Sequence, residues 1–202
     1  MKKIIILLAF LSVSLCTYAQ MGFGVKAYAN ASNVSNGYWH SQYPDNIVPK
    51  MGFGLGGFIE FKNLFTPRWG LKGELLFNTV GERARFSNSE SFTTRLTYIN
   101  LPVMAQYKVY NDRLSFVAGP QFGFCLGAKD ILRSGMDKHI EPLHNTEYNV
   151  LELGFVFGVS YLFYPHFGIE ARYNLGLTNV YTNYGEPTGQ NHFVNLGFIY
   201  EF

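Results

Sequence analysis

Charged side chains recur at alternate positions of aromatic-rich segments, where they could form buried ion pairs or line a pore. Five are cations, Lys26, Lys62, Lys72, Lys108 and Arg172, and five are anions, Glu60, Glu74, Glu152, Glu170 and Glu201. Charges enclosed at low dielectric must be paired or neutralised, whereas a selective filter tends to show a ring of one sign. The balanced set therefore favours a salt-bridged structural network over a selective pore or a proton path. The members on which we base this hypothesis are Lys26, Glu60, Lys72, Glu74, Glu152, Glu170 and Arg172.

Two other patterns could support chemistry. His139, Glu141 and His144 form an H-x-E-x-x-H sequence, which can bind zinc when a helix aligns its ligands. Here the pattern lies in a polar connection, so we interpret these residues as solvated. Ser134 or Ser160 with a histidine would suggest a lipid hydrolase, but no serine, histidine and acid are spaced to share one face of adjacent strands. We expect no catalytic residue, no metal, no cofactor and no enzymatic activity.

The segments that carry these charges alternate between apolar and compact or polar residues with a period of two, which is typical of β-strands. One face carries Phe, Tyr, Leu and Ile, and the other carries Gly, Ala, Ser and the charged residues. Pro102 and Pro120 lack a ladder donor, and we expect β-bulges to accommodate them. The eight predicted strands are Met21–Asn33, Met51–Lys62, Trp69–Gly81, Arg95–Tyr110, Leu114–Ala128, Tyr148–Phe163, Gly168–Val180 and His192–Phe202.

The size of an eight-stranded barrel decides which face points outward. Its interior is just wide enough to be filled by side chains, so the compact face should lie inside and the bulky apolar face outside. The strands exceed the ~9–11 residues that a tilted membrane strand needs. Charged residues are 15% of the chain, aromatic residues are 17%, and the mean hydropathy is only +0.01. The sequence predicts an all-β fold, an eight-stranded antiparallel up-and-down transmembrane β-barrel of the outer-membrane type. A soluble lipocalin-type barrel is the alternative.

The connections between the predicted strands alternate in length. Val34–Lys50, Glu82–Thr94, Lys129–Glu147 and Tyr181–Asn191 are long and polar, and the remaining three are short. Outer-membrane barrels have long outer loops and short periplasmic turns, and an even number of strands places both termini in the periplasm. Six aromatic residues that lie toward the outer loops could contact sugars or a partner, although an outer girdle explains several of them more simply. They are Tyr28, Tyr38, Trp39, Tyr43, Tyr181 and Tyr184.

The N-terminus indicates export. Lys2 and Lys3 precede the apolar run Ile4–Leu15, and small residues follow at a cleavage position after Ala19. We predict a signal peptide at residues 1–19 and a barrel domain at residues 20–202. A lipid-modified Cys16 is disfavoured by the bulky Leu15 before it. Without the two signal lysines the chain is near neutral, which argues against a nucleic-acid partner.

The C-terminal segment His192–Phe202 alternates to its last residue and ends on an aromatic side chain. Chain ends usually fray, so an apolar terminus needs a reason. A strand that closes a membrane barrel supplies one. We interpret Phe198, Tyr200 and Phe202 as a signal for the barrel assembly machinery, with Phe202 at the periplasmic rim.

Several sequence segments resemble those of one known family. They are Y-I-N-L-P-V-M-A-Q-Y at Tyr98–Tyr107, G-P-Q-F-G at Gly119–Gly123, G-I-E-A-R-Y-N-L-G-L-T-N at Gly168–Asn179, F-G-V-K-A at Phe23–Ala27 and E-L-L-F at Glu74–Phe77. Together they resemble the PorT-type outer-membrane β-barrel family of the Bacteroidetes, over nearly all of the mature chain. The resemblance implies an eight-stranded outer-membrane barrel and similarity to proteins linked to gliding and type IX secretion. It implies no catalytic residue.

These observations predict a filled barrel with a structural or interaction role through its extracellular loops. An accessory role in secretion or gliding is the function that the resemblance implies. The alternatives are a narrow passive channel or carrier of a small apolar ligand, and a lipid-modifying barrel enzyme. The expected partners are outer-membrane lipid, the barrel assembly machinery, and secretion components or an extracellular ligand.

Overall fold

The computed structural model describes residues 20–37, 44–64, 66–87, 89–109, 112–135, 137–143, 148–182 and 188–202. The predicted signal peptide, residues 1–19, lies outside them, as do Tyr38, Trp39, Tyr43, His144 and Tyr184. Within the described ranges, no helix is both long and apolar enough to cross a bilayer.

The described chain is almost entirely β-structure. Its ten strands are β1 (Gln20–Gly37), β2 (Ile47–Val48), β3 (Lys50–Lys62), β4 (Trp69–Arg85), β5 (Glu90–Val109), β6 (Leu114–Ser134), β7 (Asp137–Pro142), β8 (Leu151–Leu162), β9 (Phe167–Asn179) and β10 (Thr188–Glu201). A single 3₁₀ turn, Pro44–Asn46, precedes β2. Eight of these strands are long, and each matches one of the predicted strands.

The eight long strands form a closed ring. Each pairs antiparallel with the next, in the order β1, β3, β4, β5, β6, β8, β9, β10. The ring closes because β10 returns to β1, with pairs running from Gly24–Glu201 to Gly37–Thr188. Closure leaves no unpaired edge within the membrane, where an unpaired backbone group is costly. The predicted eight-stranded antiparallel barrel is confirmed.

The two faces of the strands point as the sequence predicts. Large apolar side chains are exposed on the outer surface, and Phe198 of β10 retains 68% of its accessible area. The charged residues Lys26, Lys72 and Arg172 are buried in the interior instead. A water-soluble barrel would reverse this arrangement, because the hydrophobic effect drives apolar side chains away from water.

Strand structure continues well beyond the predicted strand ends on the side of the long connections. The predictions that Glu82–Thr94 and Lys129–Glu147 are loops are wrong over most of their length. β4 continues to Arg85 and β5 begins at Glu90, whose carbonyl accepts hydrogen bonds from the N–H groups of Phe86 and Ser87. Polar residues at these positions mark where the strands leave the apolar band, not where pairing ends. In the same way, β2 lies in the first predicted loop, and β10 already begins at Thr188 in the fourth.

These extensions build a projection, here called the blade, from residues 81–85, 90–95, 129–134 and 137–142, and the two-residue strand β2 pairs with its edge at Arg83 and Ala84. β6 has 21 residues, a length of about 70 Å along the strand. An apolar membrane band is only about 25 Å tall. The blade therefore stands outside the membrane even after allowance for strand tilt.

The two strand prolines are accommodated without a bulge. Beside Pro120, the β5–β6 ladder is interrupted between Pro102–Gln121 and Ala105–Ala118 and resumes in the same register. Beside Pro102, the β4–β5 ladder is interrupted between Gly73–Val103 and Leu76–Asn100 and also keeps its register. The expected bulges at Pro102 and Pro120 are therefore wrong, because a local gap in the ladder suffices. The bulge in the β5–β6 ladder lies higher, where Thr97 pairs with Gly127 and Tyr98 with Cys125, leaving Leu126 unpaired.

Candidate functional site

Glycines on neighbouring strands make room for large side chains in the narrow lumen. Tyr28 of β1 pairs with Gly54 of β3 on one side and Gly197 of β10 on the other. A methyl group at either glycine would overlap the Tyr28 side chain. The Tyr28 hydroxyl and the Asn78 Oδ1 of β4 lie 2.5 Å apart in a hydrogen bond. Small residues thus allow bulky polar side chains to cross an eight-stranded interior.

An ion-pair network occupies the middle of the lumen. The Arg172 guanidinium donates two hydrogen bonds to Glu74, each 2.6 Å long, and its Nε lies 2.7 Å from Glu170 Oε1. Lys26 Nζ lies 2.8 Å from both Glu74 Oε1 and Glu170 Oε1. All four side chains are almost fully buried. Each charge therefore has at least two partners, which buried ions need to offset desolvation.

Lys72 extends this network to an aromatic ring. Its Nζ lies 3.9 Å from the centre of the Phe58 ring and 4.0 Å from Glu74 Oε1. Lys26 lies over the same ring at 5.4 Å. A cation near the face of an aromatic ring is attracted by the ring quadrupole. The contact of Phe58 with these two lysines was not predicted, although the position of Phe58 on the compact face of its strand indicates that its ring points into the lumen.

Four of the other predicted charges form two separate ion pairs, on the side of the barrel that holds both chain termini. Lys108 Nζ lies 2.5 Å from Glu60 Oε1, and Lys62 Nζ lies 3.3 Å from Glu201 Oε2. Lys72 lies directly opposite Glu60 in the β3–β4 ladder, so it stands between the Lys108–Glu60 pair and the central network. The charges thus lie in successive layers, and the layer with Lys62 is partly open to solvent.

Glu152 does not belong to the ion-pair network. It is buried, and among the residues that the structure describes it forms no ion pair; Asn191 Nδ2 lies 3.5 Å from its Oε2. The grouping of Glu152 with the paired charges is therefore wrong. The physical reason is its height in the barrel: it lies near Tyr98, beside an apolar layer.

That apolar layer fills the half of the lumen nearest the blade. Its buried members are Val34, Val80, Leu96, Tyr98, Cys125, Ala128, Tyr148, Val180 and Phe193. Above it, the Tyr181 hydroxyl donates a hydrogen bond to Glu82 at 2.9 Å. Of these members only Val34 lies in a predicted connection, so this layer could not be recognised from strand limits; the inward face had been characterised by its small and charged residues instead.

The candidate metal and hydrolase residues do not converge. His139 and Glu141 lie exposed on β7, and His144 lies outside the described residues. In the described part of the chain, no cluster of three or more His, Cys, Asp or Glu side chains could hold a metal ion. Ser134 is exposed, whereas Ser160 is buried and pairs in the sheet with Ser115 and Glu170, not with a histidine.

The predicted C-terminal signal lies in an aromatic cluster at the end of the barrel that holds both termini. Phe202 stacks on Phe23 with ring centres 5.2 Å apart, and its N–H donates to the Phe23 carbonyl at 2.9 Å. Tyr200 contacts the edges of Phe202 and Phe167 at 5.2 and 4.8 Å. Phe198 points outward above them. These contacts give the last strand a packed end, and its role in assembly stays a prediction.

Several solved structures are similar to this chain in fold. Neisserial surface protein A gives a TM-score of 0.50 at 12% identity, over 91% of this chain and 99% of that one. Ail, the attachment invasion locus protein of Yersinia pestis, gives 0.46 at 14% identity, over 90% and 97%. OprG from Pseudomonas aeruginosa gives 0.44 at 9% identity, over 91% and 97%. Comparison with curated proteins gives no significant match.

The sequence itself matches a family. Residues 18–182 match the family described as the outer membrane protein beta-barrel domain, a span that includes every long strand except β10. This match covers well over half of the chain and agrees with the closed ring and its apolar outer face. The protein is therefore an outer-membrane β-barrel, a member of the outer membrane protein beta-barrel domain family.

Proposed function

We propose that this protein is a non-conducting outer-membrane barrel that acts through structural or interaction surfaces and has no enzymatic activity. The main observation that supports this proposal is the ion pair between Arg172 of β9 and Glu74 of β4, two strands that lie opposite each other in the ring. Side chains that meet across the diameter leave little room for an aqueous path.

The apolar layer around Phe193 and Leu96 adds a second barrier above this pair. An ion crossing it would lose its hydration without gaining a partner, which is costly at low dielectric. The narrow passive channel, the main alternative, requires both layers to open. The hypothesis that these side chains fill the lumen, here called the plug hypothesis, requires neither layer to move.

Conductance in planar lipid bilayers tests the proposal. We expect the purified mature chain, inserted as a folded barrel, to give no sustained current above the bare bilayer. A porin reconstituted in the same lipids serves as the positive control, and heat-modifiable migration on gels reports folding of both proteins. A sustained current from the wild-type barrel would overturn the plug hypothesis.

The orientation that we propose places both termini in the periplasm and the blade outside the cell. It is supported by the short connections at residues 63–68 and 163–166, which contrast with the long strand extensions at the opposite rim. An epitope inserted at Gly135, in the turn of the blade, should be detected on intact cells. The same epitope inserted at His166 should be detected only after the outer membrane is permeabilised.

We also propose that the chain belongs to the PorT-type subset and assists secretion or gliding. Two of the segments that resemble the PorT-type family, Tyr98–Tyr107 and Gly119–Gly123, lie side by side in the sheet. Leu101 pairs with Phe122, and Pro102 pairs with Gln121. Deletion of the gene in its host should impair secretion or gliding, and the wild-type gene should restore it. Normal secretion and gliding in the deletion strain would reject this role while leaving the plug hypothesis intact.

The partners that we propose are outer-membrane lipid, the barrel assembly machinery, and a secretion component or extracellular ligand that contacts the blade. A lipid-modifying activity is tested by the same deletion strain. We expect its lipid A to have an unchanged mass spectrum, because neither candidate serine is a convincing nucleophile: Ser134 is exposed on the blade, and Ser160 is buried opposite Ser115 and Glu170.

A further inference from the structure

The outward face of the blade carries a cluster of basic residues directly beyond the lipid-facing band. On β4, Arg83 lies on the same face as the lipid-facing Leu75 and Phe77, because the three positions differ by even numbers. Arg95 of β5 pairs with Gly81 of β4, on the same side of the sheet. Arg133 of β6 extends this face to Lys138, its partner on β7.

These side chains surround a shallow cavity of about 180 Å³, room for several water-sized groups. Its charged lining is entirely basic, with Arg83, Arg95, Arg133, Lys138 and Lys50. Among the residues that the structure describes, none of these five takes part in an ion pair.

Lys50 is the most informative member of this cluster. The residue is only 3% exposed, and its Nζ has no hydrogen-bond partner among the residues that the structure describes. Arg83 is similar: within the described part of the chain its Nε lacks a partner, although one terminal nitrogen donates to Ser91 Oγ at 3.4 Å. A buried ammonium without a partner is unfavourable, so the folded cavity is arranged to receive an anion.

Two acidic side chains of the blade, Glu82 and Asp130, form hydrogen bonds elsewhere. Glu82 accepts a hydrogen bond from Tyr181 on the lumen side. Asp130 accepts one from Thr94 at 2.8 Å. No acidic residue is among the described residues that line the cavity, so the charge of the five cations is not balanced within its lining.

The position of the cavity indicates what kind of anion would enter. Met51, which is 70% exposed, lines the same cavity and begins the apolar outer face of β3. Leu126 and Ile140 expose apolar surface on the neighbouring strands. A ligand there would place its anionic group among the cations and its apolar part along the barrel wall, which describes a membrane lipid better than a soluble ion.

We propose that this cavity binds the phosphate group of a phosphorylated glycolipid in the outer leaflet. Guanidinium groups suit this role because they donate paired hydrogen bonds to phosphate oxygens. The identification of the leaflet rests on the orientation given under Proposed function. Binding itself can be measured in detergent, so failure of binding and failure of the orientation are distinguishable.

The test uses the folded mature chain in neutral-detergent micelles and measures its dissociation constant for bisphosphorylated lipid A. Two comparison probes are dephosphorylated lipid A with the same acyl chains, and inorganic phosphate. The combined variant Arg83→Gln, Arg95→Gln and Arg133→Gln should weaken lipid A binding at least tenfold. The control, Arg68→Gln with Arg113→Gln, removes two exposed cations at the opposite rim and should leave binding unchanged.

Lys50→Met separates a ligand-binding role from a structural one. Removal of a buried, unpartnered charge should raise the stability of the lipid-free barrel, yet weaken lipid A binding about tenfold. A purely structural lysine would instead lose stability on substitution. Heat-modifiable migration shows for each variant that the barrel is folded.

Equal binding of dephosphorylated lipid A would overturn the proposal, as would unchanged affinity in the combined variant. Competition by inorganic phosphate at the concentration where lipid A binds would show a site for free anions and reject the lipid as ligand. Strong preference for bisphosphorylated lipid A, lost in Lys50→Met and in the combined variant, is the result that the proposal predicts.

Discussion

Arg172 and Glu74 meet across the full diameter of the barrel, with both terminal guanidinium nitrogens 2.6 Å from the two carboxylate oxygens. The two residues lie on β9 and β4, four strands apart in either direction around the ring. Their pairing couples opposite walls that share no backbone hydrogen bond. The lumen network therefore acts as a cross-brace as well as a plug.

Truncation of this brace should be costly. Arg172→Ala leaves Glu74 and Glu170 buried with fewer cationic partners, and we expect the free energy of unfolding to fall by about 3–5 kcal/mol. Urea unfolding of the barrel in lipid vesicles, followed by tryptophan fluorescence, measures the change. The apolar layer should still prevent conductance in planar bilayers.

Lys62→Ala is the matched control for this variant. The Lys62–Glu201 pair is 3.3 Å long and partly exposed, and such pairs contribute about 0–1 kcal/mol. If Arg172→Ala were no more destabilising than Lys62→Ala, the cross-brace would contribute nothing to stability.

The glycines beside Tyr28 should not tolerate even a methyl group. Gly54→Ala places a Cβ into the Tyr28 ring and Asn78, and overpacking of this kind costs about 1–3 kcal/mol. Gly73→Ala is the control, because a Cβ there meets no heavy atom within 4 Å. Thermal unfolding of both variants compares them; equal midpoints would show that the lumen adjusts freely around Tyr28.

Cys125 reports whether water reaches the half of the lumen beside the blade. Its thiol is buried in the apolar layer, so a charged methanethiosulfonate reagent should label the folded barrel far more slowly than the urea-unfolded chain. Ser115→Cys probes the lumen near the opposite rim on the same strand and provides a comparison in the Cys125→Ala background. Rapid labelling of Cys125 in the folded protein would indicate a hydrated lumen at this level.

Loss of the terminal aromatic residue should impair assembly. Deletion of Phe202 removes its stacking on Phe23 and the hydrogen bond between their backbones, so we expect less folded barrel in the outer membrane of expressing cells. Phe23→Ala removes the same ring contact but keeps the C-terminal residues. If both changes reduce the folded amount equally, the contact matters for stability and the assembly signal is not supported.

The alternation of residues in the sequence was enough to predict the eight strands, their outward face and the burial of Lys26, Glu74 and Arg172. A period of two is a local property, and the narrow interior of eight strands decides which face fits inside. Residue polarity was a poor guide to the strand ends, however. β5 and β6 continue through residues that are polar because they leave the membrane, and only their pairing shows that the sheet persists.

Which charges meet was decided only by the tertiary structure. Pairing between Glu74 and Arg172 depends on closure of the ring and on register summed over several strands, and neither is encoded in the spacing of residues along the chain. The same holds for Glu152, whose height places it beside apolar side chains, and for Lys50, which reaches the basic cavity of the blade. The sequence by itself determined which residues face inward; the closed barrel determined their partners.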